Sequence, residues 1–113
     1  MKLQLIIKLV NGKVITKIKS DININAGLTS DLMSDVLTLD VENTILITGL
    51  NNLQTIRTME MSDIHCVIIG RSKKVSSEMI QLAEKCNITI IESPFTVFKI
   101  SGLLFSAGIE AVY

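Results

Sequence analysis

Apolar positions recur along this chain at two alternating periods, and their order predicts the architecture. Leu3, Ile6, Ile7 and Val10 stand at i, i+3, i+4 and i+7, the stripe of a short helix over residues 3–10. Asn11-Gly12 reads as its stop, with the glycine taking the left-handed turn at low cost. Residues 13–19 alternate lysines with Val14, Ile15 and Ile18, which predicts a strand. Ile22, Ile24 and Ala26 keep period two, so residues 22–29 form a second extended stretch. Ser30 or Asp31 is placed to cap a short helix over Leu32 to Leu37.

Beyond residue 43 the rhythm is regular. Thr44 to Thr48 is a β-branched run and predicts a strand; Gly49-Leu50-Asn51-Asn52 is a turn. Leu53, Ile56, Met59 and Met61 then mark a helical face ending near Asp63. Ile64 to Ile69 is almost wholly apolar, as strands buried on both faces of a parallel sheet are. After a polar loop at 70–75, Ser76 caps a helix whose face is Met79, Ile80, Ala83 and Cys86. Ile88 to Ile91 is a third apolar strand. Ser93-Pro94 opens a last helix from about Phe95 to Ala107, with serine at the cap and proline in the first turn. Residues 44–107 thus read β-α-β-α-β-α, which implies a parallel sheet with right-handed crossovers. The expected fold is a single α/β domain over residues 1–113, a mostly parallel sheet flanked by helices.

Composition narrows the function classes. A chain of 113 residues with 48% hydrophobic and 19% charged content has the size and apolar fraction of one folded domain. Its zero net charge excludes a nucleic-acid binder that works by bulk positive charge. Two cysteines, Cys66 and Cys86, give no disulfide framework and fit a reduced, cytoplasmic setting. No small-residue cleavage pattern follows residues 1–11, and no apolar run reaches the roughly 18–20 residues of a membrane span. Neither nucleic acid nor membrane is expected as a partner. Charge is segregated: Lys2, Lys8, Lys13, Lys17 and Lys19 come before any acid, then Asp21, Asp31, Asp35, Asp40 and Glu42 before Arg57. Pairing of the two blocks is the reading taken, within the fold or across a dimer; a docking face is the alternative.

Residues 21–36, Asp-Ile-Asn-Ile-Asn-Ala-Gly-Leu-Thr-Ser-Asp-Leu-Met-Ser-Asp-Val, resemble the hallmark segment of the DRTGG domain family. Ser30-Asp31-Leu32-Met33-Ser34-Asp35-Val36 follows that family's Ser-Asp-Leu-Leu-Ser-Asp-Val-like run, and Asp21 and Gly27 stand where its aspartate and second glycine would. Ile22, Asn25 and Ala26 depart from it, standing where the arginine, threonine and first glycine of the family name are expected. The resemblance extends through the later strands and helices. Such domains are similar in outline to the amino-terminal domain of bacterial HPr kinase, and they occur alone or beside CBS pairs and enzyme modules in bacteria and archaea. The resemblance implies a regulatory or assembly module, dimeric and without catalysis. It singles out Gly27, Thr29, Ser30, Asp31, Ser34 and Asp35 as residues shaping a ligand or dimer face.

Other residues offer chemistry of their own. Asp31 and Asp35, four apart, would share a face if both were helical, at a repulsive cost that a magnesium or calcium ion could offset. The reading preferred is that Asp31 sits near the positive helix start and the two serine hydroxyls bond local backbone; no metal or cofactor is expected. Gly27 is read as a bend between strand and helix. Gly49, Asn51 and Asn52 join a strand to a helix start, as do Gly70, Arg71, Lys73 and Lys74; an anion could be held at either place, but surface turns are the plainer reading. His65 and Cys66, adjacent in a strand, point to opposite faces and cannot form a nucleophile pair. Finally, Val97, Phe98, Ile100, Leu103, Leu104, Phe105 and Ala107 make the last helix apolar nearly all round, so it needs cover on two sides. The sheet supplies one. A second copy meeting Phe98, Leu103, Leu104 and Phe105 is expected to supply the other, with helix 3–10 as the alternative.

The expected function is therefore a non-catalytic, homodimeric regulatory module that senses a small ligand or docks on a larger enzyme. Its rivals are a small-molecule or nucleotide binder using the loops at 49–52 and 70–74, and a metal-dependent enzyme using Asp31 and Asp35.

Overall fold

The alternation of β-branched runs with amphipathic stripes folds as a six-stranded sheet with helices on both faces. The computed structural model describes residues 1–16, 22–37 and 42–113. In chain order the elements are α1 (Leu3–Leu9), β1 (Lys13–Val14), β2 (Ala26–Thr29), α2 (Met33–Val36), β3 (Thr44–Thr48), α3 (Leu53–Met61), β4 (Cys66–Ile69), α4 (Ser77–Lys85), β5 (Thr89–Glu92), α5 (Val97–Ser106) and β6 (Glu110–Ala111). The strand order is β1-β5-β4-β3-β2-β6. Among the described residues β1 runs antiparallel to β5, and every other pairing between these strands is parallel. The expected mostly parallel α/β domain is what the chain forms. Among the described residues no helix is long and apolar enough to cross a membrane.

The pleat divides the core in two. Leu46, Val67, Ile69 and Ile90 face α2, α3 and α4, where Met33, Val36, Ile56, Met59, Met79 and Ala83 meet them. Ile45, Ile47, Cys66, Ile68 and Ile91 face the other way, onto Leu3 and Ile6 of α1 and Ile100 and Leu104 of α5. Every residue of β3 and β4 is buried. Each fully buried isoleucine there contributes about 1.5–3 kcal/mol of transfer free energy, which is why continuous apolar runs mark these two strands.

Local rules were mostly legible, with instructive departures. Ser76 caps α4, accepting the Met79 amide. At the end of α1 the left-handed residue is Asn11, with φ 52°, and not Gly12. Gly12 is needed for space: a Cβ there would lie 2.7 Å from Ile91 Cγ2. Asp63 and Asn87 take the same left-handed position after α3 and α4, and the amides of Ile64 and Ile88 reach back to Met59 and Ala83 to close each helix. The last helix starts later than expected. Its cap is Thr96, whose hydroxyl accepts the Lys99 amide. Ser93 is fully buried instead, donating to Val10 O at 2.6 Å and accepting from the Phe95 amide. Met61, assigned to the apolar face of α3, is exposed, and Cys86 is half-exposed where it was expected in the core. Lys17, Lys19, Asp21 and Asp40 lie outside the described residues, as does the 17–19 part of the strand expected at 13–19.

Candidate functional site

Two places on the sheet gather the residues singled out above. The first lies at the carboxyl ends of β2, β3 and β4, where open parallel sheets hold ligands. The chain leaves β2 through Ser30, whose hydroxyl accepts the Leu32 amide and donates to Leu32 O. The serine thus bonds local backbone as expected. Asp31 does not belong to α2: the helix starts at Met33, with Leu32 at its cap and no side-chain bond there. The paired-carboxylate arrangement with Asp35 therefore does not arise, because only Asp35 is helical. Ser34 and Asp35 lie exposed on α2.

Asp31 reaches across to the end of β3 instead. Its Oδ1 accepts from Thr48 Oγ1 at 2.7 Å and from the Gly49 amide at 2.8 Å. These two hydrogen bonds, with help from the Lys73 charge and against some desolvation, hold its carboxyl below the ordinary carboxylate range. Lys73 Nζ donates to Gly49 O at 2.8 Å. A Cβ on Gly49 would lie 3.4 Å from Lys73 Nζ and 3.6 Å from Asp31 Oδ2, so three loops converge on this glycine.

Convergence here commits several of the groups named for an anion to bonds within the chain. The Gly49 amide is taken by Asp31, and Asn52 caps α3 by accepting the Thr55 amide. Asn51 donates to Lys74 O at 2.6 Å. Gly70 is pressed against the 95–97 segment, where a Cβ would meet Phe95 O and Val97 Cγ2 at 3.2 Å. Arg71 and Ser72 both take left-handed backbone, and their amides bond Phe95 O and Ser93 O. The loops at 49–52 and 70–74 are thus a knot tying the strand ends together. Among the described residues no cluster of three or more His, Cys, Asp or Glu could hold a metal ion. His65 is exposed and pairs with Asp63 at 2.8 Å, while Cys66 is buried on the opposite face, its thiol pushed up to about 12 by burial.

The second place is a groove of about 410 Å³ between α5 and the β2–β6 edge. It sits where the sheet reverses direction: β2, β3, β4 and β5 succeed one another outward, and the chain then returns over α5 to lay β6 beside β2. Gly27 lies in β2 itself and is not a bend. Its missing Cβ makes room for Ile109, whose Cγ2 would be 3.2 Å away. Thr29 Oγ1 and Ser101 Oγ are 2.6 Å apart, and Ser101 also donates to Val97 O. Around them Phe98, Phe105 and Tyr113 are 88%, 69% and 84% exposed.

α1 and α5 share one face of the sheet, so part of α5 is covered within the chain. Leu104, expected at an interface, is 1% exposed and packs on the sheet; Leu103 is half-buried. The uncovered face carries Phe98 and Phe105. Sequence reading missed Gly102 and Tyr113, and also Thr48 and Ser101, whose partners 17 and 72 positions away leave no local signal.

The fold is shared with a solved structure, the CBS and DRTGG domains of the regulatory region of Clostridium perfringens pyrophosphatase, complexed with the activator diadenosine tetraphosphate. The TM-score is 0.75 at 21% identity, covering 90% of this chain and 45% of that one. The chain therefore spans less than half of that regulatory region. No protein-family model and no curated protein matches the chain.

Proposed function

We propose that this chain is a non-catalytic regulatory module of the DRTGG type that pairs with a second copy through the outer face of α5 and docks on, or is joined to, a larger enzyme. The observation that carries the reading is the exposure of Phe98 and Phe105 on one helix face. Large exposed apolar patches on monomers are unusual and mark interaction sites. A two-fold pairing would cover both rings from each copy, with gross burial of about 6–12 kcal/mol. Association costs of about 4–15 kcal/mol offset much of this, so the pairing is expected to depend on concentration. The shared fold with a pyrophosphatase regulatory region supports a regulatory role, and that protein's activator is a nucleotide. The two free cysteines fit a cytoplasmic setting. The metal-dependent enzyme reading is disfavoured because Asp31 is already committed to Thr48 and Gly49.

Sedimentation velocity over a dilution series tests the pairing. The protein is expected to sediment as a dimer at high concentration. Phe105→Glu is expected to sediment as a monomer with an unchanged far-ultraviolet spectrum. A wild-type monomer at every concentration would remove the pairing.

A further inference from the structure

Gly102 is unexplained by the fold. It sits in the middle of α5, where glycine costs about 1 kcal/mol relative to alanine. Nothing near it demands the missing side chain: a Cβ there would meet no atom within 4 Å, and its backbone is ordinary helix. It stands four residues after Phe98 and three before Phe105, on one stripe of the helix. Glycine thus leaves a notch between two phenyl rings, and the notch opens into the 410 Å³ groove. That volume falls in the range of small-molecule sites, about 300–1,000 Å³.

The groove's polar chemistry has a direction. Ser101 carries one hydroxyl proton, which goes to Val97 O at 2.7 Å. The 2.6 Å contact with Thr29 is then a bond in which Thr29 donates and Ser101 accepts. Thr29 has spent its proton and offers lone pairs. An occupant meets an acceptor there and must bring a donor. Charge selects further: among the described residues the lining contains no lysine, arginine or histidine, and its one carboxylate side chain is that of Glu110. A phosphate or carboxylate would find no counter-charge.

The geometry points to this groove as a binding site for a neutral, planar aromatic molecule that presents an N–H donor to Thr29. Its ring lies in the Gly102 notch, against Phe98 and Phe105, with Tyr113 at the mouth. This deepens the regulatory reading by naming a ligand class, and because pairing would cover the same two rings, ligand and second copy compete for them. It rests on that reading for its biological consequence, while the binding itself is measured separately from pairing.

Indole is the probe, with benzofuran as its isostere in which a ring oxygen replaces the N–H. Titrations followed by amide chemical shifts on the intact chain are expected to saturate, with the largest changes at Thr29, Ser101 and Gly102. Benzofuran is expected to bind about fivefold more weakly, the worth of one neutral hydrogen bond. In Thr29→Val the two probes should bind equally. Gly102→Leu puts a side chain into the notch, where an added Cβ meets no atom within 4 Å, and should abolish the shifts. Equal binding of both probes to the wild type, no saturation, or indole binding that survives Gly102→Leu would each overturn the assignment. Shifts of the same amides on dilution, with no competition by indole, would overturn it in favour of a second copy filling the groove. Saturable indole binding to a chain that sediments as a monomer would leave the site standing and remove the pairing.

Discussion

Replacing Ser93 by alanine probes how β5, α1 and α5 are joined. The side chain is fully buried just after β5. Its hydroxyl donates to Val10 O at 2.6 Å and accepts from the Phe95 amide at 3.2 Å. The backbone bonds of Ser93, to Ile69 O and from the Ser72 amide, survive in the variant. Ser93→Ala therefore deletes two hydrogen bonds and strands two backbone groups, one at the end of a helix whose capping residue Val10 is itself buried. A bond of this kind is worth about 1 kcal/mol net, and an unsatisfied buried partner costs about 1–3 kcal/mol, so the expected loss is about 2–3 kcal/mol. Thr96→Ala removes only an exposed helix cap and is expected to cost about 1 kcal/mol. Urea unfolding at neutral pH and one fixed protein concentration measures both. If Thr96→Ala proves the more costly, or Ser93→Ala costs under about 0.5 kcal/mol, the bridging role is wrong.

Asp31→Asn separates charge from shape at the loop knot, and is expected to cost about 1 kcal/mol at pH 7 after allowance for its exposed position. The folded carboxyl titrates below its ordinary range, so its contribution is present above the unfolded pKa and disappears as pH falls through the lower folded value. Unfolding at pH 6 and pH 3 should show the gap between variant and wild type shrinking at the acid end; a constant gap would refute the charge argument. For the cysteines, iodoacetamide should label Cys86 and leave Cys66 untouched in the folded protein, since Cys66 is buried and pushed up to about 12. Cys86 donates to Glu60 Oε2 at 2.6 Å, and that carboxylate raises its pKa, so Glu60→Gln should speed labelling several-fold at pH 8.

The elements that sequence made legible are those whose signal is local. The runs at 44–48 and 64–69 are apolar because both faces of β3 and β4 are covered. The stripe Leu3, Ile6, Val10 is apolar because one side of α1 is. β6 escaped because it has two residues, both exposed, and exists through pairing with Ala26 and Gly27. Ser93 and Asp31 escaped for the same reason. Each has the chemistry of a helix cap and stands near a helix start, yet its oxygen is claimed by a distant element: Val10 for one, Thr48 and Gly49 for the other. Apolar content did reveal that α5 exceeds what one sheet can cover, but not that Leu104 lies inward and Phe98 outward.

Thr29 and Asp31 are two residues apart, and they belong to different places. Thr29 ends β2 and grips Ser101 in the groove; Asp31 grips Thr48 and Gly49 at the mouth of the sheet. The span between them is short, at most about 7 Å of chain, and its middle is stiffened by the Ser30 turn. It carries a contact at each end, so the carboxyl end of β2 is tied both to α5 and to the β3–α3 turn within two residues of chain.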